Sequence, residues 1–525
     1  MSNIQKDQLQ SLIKSLTKAE KRNFRLYANR SSSSGELKKF LQLFDALDKL
    51  VEYDEKVLLE KLRGVKKQHL ANLKRHLYKQ ILISLRLIYI QKNIDIEIRE
   101  QLDFARILYG KGMYMQALRM LERIKLTAIE HHQDILHLEI LEFEKLIEAR
   151  HITRSRRVKG KMENLLEESK RRSYITLSSS LLFNFNIEVH GYYIERGHAR
   201  NEQDAAAATA FFEANLPPIQ LEQQPTLTFF ERSNLFQSYM WYYYILLDFE
   251  GCCTYSMKWI DLFEESPQMK EKDPDLYMRG LYYLLVFLYF TKKIDLYDRY
   301  LKTFEAFEDS IRNKLNTNSQ TIAFVYLSLS RLNFFLLTGD YKGGIAYSKE
   351  IQRPMPKYKK YSDIHRVLLF YYKFAYLYFG CGQFDKALEY LNQIILLKHS
   401  YLREDLHHNA QLLHLICHYE MGNYDLLSYR IPSIQRAFAQ AKDVSQVQKM
   451  TLNFIKKLLL LTPDKVKNAF EKFKTQIASV SGSSYEQKAL IYLDIPAWIE
   501  SHLDNVLVKD IKLKNIASSQ SADKK

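Results

Sequence analysis

The chain is short of everything that breaks a helix. Its 525 residues include only 10 prolines and 16 glycines, well below the roughly 5% and 7% usual for those types. So few breakers exclude a chain of tight β-turns and imply long helices. Cysteine is scarcer still. Cys252, Cys253, Cys381 and Cys417 are the four, too few for a disulfide scaffold in a chain this long. The adjacent pair also lacks the C-x-x-C spacing of zinc or thiol-redox chemistry. A reducing compartment is expected. The opening, MSNIQKDQLQSLIKSL, has no apolar core of the kind a signal peptide carries. The apolar run LYYLLVFLYF (281–290) is too short for a bilayer crossing, which needs about 20 residues. It reads as a fully buried helix, and the expected location is the cytoplasm with no membrane insertion.

Signatures of catalysis and of cofactor binding are also missing. The sequence has no G-x-G-x-x-G or G-x-x-x-x-G-K-[ST] phosphate loop and no G-x-S-x-G elbow. Paired acids such as Glu264 and Glu265 stand at a charged helix end with no opposing partner in the pattern. No catalytic residue and no cofactor is expected, and the chain reads as a non-enzyme.

What is present is helix-forming, apolar and basic. Hydrophobic residues make up 46% of the chain, enough for a large core, and the formal net charge is +16. That charge favours anionic partners but says nothing about fold. Length alone allows three or four domains.

Residues 1–95 read as a helical module. Thr17 and Glu20 have capping-box spacing. The segment SSSSG (31–35) is a break, and 36–50 is amphipathic through Leu37, Phe40, Leu41, Phe44 and Leu47. Asp54 caps the helix over 53–62 and Gly64 ends it. The next stretch, GVKKQHLANLKRHLYKQILISLRL (64–87), has no acidic residue. On a helical wheel Leu70, Leu73, Leu77, Ile81, Leu85 and Ile88 form one packing stripe. Arg75, Lys79 and Arg86 point nearly opposite, with Gln68 and Asn72 beside them. Lys67 and Lys74 lie at the boundary, where long side chains snorkel.

From residue 98 a second pattern begins. In FARILYGKGMYMQALRMLERI (104–124), Ala105, Leu108, Gly112, Tyr114, Ala117, Leu121 and Ile124 mark two helices around a glycine turn. In FAYLYFGCGQFDKALEYLNQI (374–394), Ala375, Tyr378, Gly382, Phe384, Ala387, Leu391 and Ile394 keep the same offsets. The glycine permits a left-handed turn. The alanine lets paired helices approach, and the aromatic after the turn plugs the hairpin. A looser copy at 332–351 has Gly339 at the turn, Tyr341 as plug and Gly344 at the small position. Copies at 415–431, 284–304 and 243–263 put bulky residues there. Turns are expected near 112, 251, 292, 339, 382 and 422, with two further hairpins over 135–215 and an extended connector at 215–226.

These offsets resemble the tetratricopeptide repeat. The resemblance implies an all-α fold: an irregular, TPR-like, right-handed α-solenoid over 96–480 behind the N-terminal helical module. A capping helix is expected over 481–510 and a flexible tail over 511–525. The segments LTKAEKRNFRLYA and NLKRHLYKQIL also look like the opening of a group of helical-repeat proteins from Bacteroidetes-type bacteria. That resemblance covers the whole chain and supplies no activity.

Three basic patches are candidates for an anionic partner or nucleic acid. The first is the α-helical face of Gln68, Asn72, Arg75, Lys79 and Arg86. Residues 54–75 are loosely helix-turn-helix-like, with Leu59, Val65, Leu70 and Leu73 as core. Glu60 and Arg63 depart from that motif, which prefers a small and an apolar residue there. The second patch is Arg154, Arg156, Arg157, Lys159 and Lys161, without the aromatic residues that base stacking needs. The third is Lys357, Lys359 and Lys360. In each case a solvated helix face or connection is the plainer reading. His407, His408, His414 and His418 have helical spacing but no H-E-x-x-H glutamate, so no metal site is expected. Stacked hairpins present shallow grooves that suit a helix or an extended peptide. The expected function is a scaffold or adaptor that binds a protein or peptide, acidic by charge, with inner-helix positions near Asn333 and Lys373 facing the groove. The alternative is a bacterial regulator with an N-terminal nucleic-acid-binding module and a peptide-sensing repeat domain. The sequence also allows a homodimer through the N-terminal module.

Overall fold

The computed structural model describes residues 7–31, 34–62, 65–90, 93–151, 160–218, 227–359, 363–397, 404–441 and 444–522. Among these the secondary structure is helical, with no strand. The chain forms two compact units, Met1–Leu177 and Ser178–Lys525. The expected repeat region over 96–480 therefore divides between them.

Unit 1 begins with α1 (Gln8–Ser15), α2 (Lys18–Ser31), α3 (Ser34–Lys49), α4 (Glu55–Lys61) and α5 (Lys67–Tyr89). The Thr17–Glu20 capping box forms at α2, where Glu20 N donates to Thr17 Oγ1 at 3.2 Å and Thr17 N to Glu20 Oε2 at 2.7 Å. Asp54 caps α4 by accepting from Lys56 N and Val57 N. Their shared core runs from Leu9 to Ile81 and includes Phe24, Phe44, Leu47, Leu58, Leu70 and Leu77. Gly64 and the centre of SSSSG lie outside the described residues. A second core forms between α6 (Ile94–Gly110), α7 (Tyr114–Glu130) and α8 (Asp134–Arg150). Ala105 and Ala117 are fully buried in it.

The two hairpins expected over 135–215 are not there. After α8 comes one 36-residue helix, α9 (Lys161–Arg196), and then α10 (Glu202–Asn215). The reason is local: between Lys161 and Val189 no glycine or proline occurs, and a serine run alone does not stop a helix. Most of the 215–226 connector lies outside the described residues.

Unit 2 continues with α11 (Phe229–Ile245), α12 (Phe249–Glu265), α13 (Gln268–Lys272), α14 (Pro274–Phe290), α15 (Ile294–Ile311), α16 (Thr317–Thr338), α17 (Tyr341–Gln352) and α18 (Met355–Lys359). It closes with α19 (Ile364–Gly380), α20 (Phe384–Ile395), α21 (Glu404–Glu420), α22 (Tyr424–Gln440), α23 (Gln446–Leu458), α24 (Pro463–Val480), α25 (Ser484–Tyr492), α26 (Ile495–Asp504) and α27 (Val508–Ala522). Successive helices pair as hairpins, and α14, α16, α19, α21 and α23 follow one another in packing contact. One continuous core serves them all. The run 281–290 lies in α14 but is not fully buried, contrary to expectation: Tyr283, Val286, Tyr289 and Phe290 are half-buried. Helix α16 is long and apolar enough to cross a membrane, yet 61% of its apolar window is buried inside the protein.

One turn recurs through both units. At Gly112, the residue's N–H donates to Tyr109 O at 2.9 Å and Met113 N–H to Leu108 O at 2.9 Å. This pair of bonds is a Schellman motif, which needs a left-handed residue at the turn. Gly382 and Gly422 repeat it with φ of 71° and 73°. His132, Leu247 and Lys292 repeat it without glycine, at φ of 49°, 60° and 57°. The turn expected at 251 is thus made by Leu247, while Gly251 sits in the first turn of α12. A Cβ at Gly251 would come 2.5 Å from the Tyr243 ring.

The C-terminal segment differs from expectation. Residues 481–510 are not a single cap but two helices, α25 and α26, broken at Leu493 and Asp494. The tail expected to be flexible from 511 is helical to Ala522. Val508 and Ile511 are buried. Leu513 and Ile516 lie against Gly339, and Leu507 lies against Gly382.

Candidate functional site

The basic face of α5 exists as the wheel requires. Leu70, Leu77 and Ile81 are buried, Leu73 and Leu85 pack against the same core, and Gln68, Asn72, Arg75, Lys79 and Arg86 are exposed. Arg75 and Lys79 have no ion-pair partner among the described residues. Arg86 does: Glu100 of α6 lies 3.6 Å away. Lys74 is drawn inward rather than left in solvent, where it pairs with Asp7 and donates to the Tyr53 hydroxyl at 3.0 Å.

Of the second patch, Lys161 forms an ion pair at 3.1 Å with Glu148, which is 2% exposed. Arg154, Arg156, Arg157 and Lys159 lie outside the described residues, as does Lys360. Lys357 is on α18, its ammonium 4.9 Å from the Tyr358 ring. The first two patches are on unit 1 and the third is on unit 2.

The repeat positions behave as packing residues. Tyr378 and Ala387 are buried, as is Ala375. Phe384 is half-buried against Phe379. Tyr114 stacks on His151 at 3.9 Å. Tyr341 plugs not its own hairpin but the next: its ring lies where a Cβ on Gly380 of α19 would stand. Gly344 replaces alanine because Leu377 of α19 would be 2.6 Å from its Cβ.

Of the histidines of α21, His408 and His414 are buried and His407 and His418 half-buried. His414 and His418 form an edge-to-face pair 4.5 Å apart, and His408 meets Phe438 edge to face. No group of three or more His, Cys, Asp or Glu side chains among the described residues is placed to hold a metal. Burial pushes the Cys253 thiol up to about 11 and Cys252 and Cys417 well above the usual range, so none is poised as a thiolate.

The sequence reading missed two concavities of unit 2, the larger of about 830 Å³ with Phe249, Lys292, Asp494 and Lys512 in its lining, the smaller more aromatic. A cavity of about 390 Å³ opens among α9, α11, α14, α16 and α19, with Ile491 and Tyr492 at the end of α25 along its rim. Asn333 and Lys373, expected on an inner face, both line it. So do Tyr193, Trp241, Tyr282, Arg366 and Tyr376. Arg366 Nη1 donates to the Tyr282 hydroxyl at 2.8 Å, and its guanidinium stands 5.0 and 5.2 Å from the Tyr282 and Tyr326 rings. Those two rings stack at 4.2 Å. Lys373 Nζ lies 5.4 Å from the Tyr289 ring. His190 stacks on Trp241 at 4.2 Å; burial, then the charge of Arg279, holds it below the usual histidine range and therefore neutral. Burial pushes the Tyr283 phenol up to about 12 and those of Tyr372 and Tyr376 well above the usual range, so these hydroxyls stay protonated. Besides Asn333 and Lys373, the hint in the sequence was aromatic clustering on the first helices of hairpins, as in MWYYY (240–244) and FYYKFAYLYF (370–379).

Comparison with family models, with curated proteins and with solved structures finds no match to this chain. The fold and the site define an all-α protein of paired helices.

Proposed function

We propose that this chain is a non-enzymatic interaction protein, a scaffold or adaptor whose TPR-like, right-handed solenoid binds an acidic protein or peptide. The observation that carries this reading is the repeated hairpin with its Schellman turn, joined in series by packing of each first helix on the next. Such a series cannot bury its faces hairpin by hairpin, and it leaves an extended surface for a partner. The formal charge of +16 selects for an acidic one. Affinity capture with the full chain from native lysate tests it. A protein partner displaced by salt supports the reading, while recovery of a reproducible metabolite with no protein partner ends it.

A second reading, a regulator with a nucleic-acid-binding N-terminal module, is favoured by one observation. Gln68, Asn72, Arg75 and Lys79 share the exposed side of α5. A low-salt titration of DNA and RNA against the full chain should then show binding that Arg75→Glu and Lys79→Glu abolish. Absence of any shift with the wild type removes this reading.

A further inference from the structure

We propose that the aromatic cavity of unit 2 is a small-ligand site for a planar aromatic anion: a molecule with a flat ring, one acidic group and an N–H donor. This goes beyond the interaction reading, since it names a ligand bound inside the unit rather than a partner on its surface. Three observations converge on that chemistry.

The first is size and shape. About 390 Å³ falls in the range of small-molecule pockets, roughly 300–1,000 Å³. Ile491 and Tyr492 border it, and the Tyr372 hydroxyl holds this border by donating to Tyr492 O at 2.9 Å. A cavity of this volume holds a compact molecule and is too small for a peptide of several residues. The second is the wall. Tyrosine, phenylalanine and tryptophan dominate the lining, and flat rings pack on such surfaces by offset stacking and edge contacts.

The third is polarity. Arg366 and Lys373 are the cations of the lining and Asp363 its carboxylate, with His365 Nε2 3.8 Å from Asp363 Oδ1 and His190 held neutral. Asp363 is also committed as the N-cap of α19, accepting from His365 N at 3.1 Å. The balance is positive, which disfavours a cationic ligand despite the aromatic wall. Asn333 is 4% exposed and its Oδ1 has no hydrogen-bond partner among the described residues. Its amide is already engaged with the Tyr297 hydroxyl, which itself donates to Ser330 O at 2.8 Å. An unpaired buried acceptor costs stability unless a donor meets it. Asn333 lines the cavity, so a rotation of its side chain that brings Oδ1 to the cavity surface offers this acceptor to a ring N–H or amino group beside the acidic group.

The acidic group has two chemical sources, a carboxylate or a phosphate. Isothermal titration of the purified full chain separates them, with indole-3-acetate for the carboxylate and adenosine 5′-monophosphate for the phosphate. Tryptophol and tryptamine serve as the neutral and cationic analogues of the indole. The expected result is saturable binding of at least one anion, about tenfold or more tighter than either analogue. Arg366→Gln and Lys373→Gln should each weaken it by about tenfold, while Lys349→Gln at an exposed position of α17 leaves it unchanged. The analogue series uses the wild-type protein alone and keeps the test valid if a cavity variant does not fold. The idea is overturned if neither anion binds, if tryptophol or tryptamine binds as tightly, or if an acidic peptide binds there in place of every small anion. Unchanged affinity in both folded cavity variants overturns it as well.

Discussion

At the scale of single residues, the recurring turn separates backbone strain from packing. A left-handed conformation costs a non-glycine residue roughly 1–2 kcal/mol. Gly112 has φ of 76°, and a Cβ there would meet nothing within 4 Å. Gly112→Ala should therefore lower stability by about 1 kcal/mol through strain alone. Lys292 holds the same turn at φ of 57° and is exposed, so Lys292→Gly should raise stability by up to about 1 kcal/mol. Opposite shifts in the thermal midpoint of the two variants check the pair; shifts of the same sign refute the strain argument. A second residue argument concerns His414. Burial, then His418 and Arg430, lowers its pKa to about 3. The unfolded chain takes a proton near pH 6.5 that the folded chain refuses, so the contribution is full above that pH and is lost as pH falls toward 3. Between pH 7 and pH 5 the loss is about 2 kcal/mol. In urea unfolding at the two pH values, His414→Phe should lose less stability on acidification than the wild type by about that amount. Equal losses would mean that His414 titrates normally in the fold.

At the scale of helices, α5 and α9 show two ways of holding an element in place. Helix α5 is held by its apolar stripe. Leu77 is fully buried, so Leu77→Ala should cost about 2–5 kcal/mol. Charge reversal at exposed Arg75 should stay within about 0.5 kcal/mol. The first half of α9 is instead held by ion pairs. Lys125 of α7 reaches Glu144 of α8 at 3.1 Å and Glu168 of α9 at 3.4 Å. Arg172 meets Asp134 at 2.5 Å, and His137, whose pKa is lowered by burial and then by Arg172, hydrogen-bonds to Glu168 at 2.9 Å. Burial pulls the Lys125 pKa down, but Glu144 more than offsets this and the net shift is upward. Lys125→Met leaves Glu144 buried without its cation and should cost about 3 kcal/mol. Lys125→Met combined with Glu144→Met should recover part of that loss, as a thermodynamic cycle on the full chain would read out. This difference explains what was legible in the sequence. An apolar stripe is a periodic signal on one element, so α5 could be read directly. The salt bridges among α7, α8 and α9 join charges 19 to 43 residues apart, and no local period marks them.

At the scale of the whole molecule, the hairpins at 112, 382 and 422 were legible because glycine marks the left-handed turn. The turn at 132 was not legible, because His132 adopts that conformation without a glycine; the hairpin at 247 was legible but its turn was drawn to Gly251, and the turn at 292 was legible from the hairpin rhythm although Lys292 makes it. The aromatic cavity was legible only in fragments, Asn333 and Lys373, since its wall comes from five hairpin helices and α25. The C-terminus is where local reading and structure differ most. Its sequence is polar and lysine-rich, which argues for fraying, yet α27 packs back on earlier turns. Ile511 is 1% exposed, worth about 1.5–3 kcal/mol of burial. Lys512 pairs with Asp494. Burial raises the Asp494 pKa, but Lys512 and the Ala497 N–H more than compensate, and the net shift is downward. Removing Lys512 strands that carboxylate at the start of α26 and adds a further cost of about 3 kcal/mol. A chain ending at Asp510 should therefore lose on the order of 4 kcal/mol or more, with faster proteolysis near 494. A chain ending at Ser519 keeps Ile511, Lys512, Leu513 and Ile516 and should match the full length in thermal midpoint. If the two truncations behave alike, α27 contributes nothing to unit 2 and the local reading of a fraying tail is the right one.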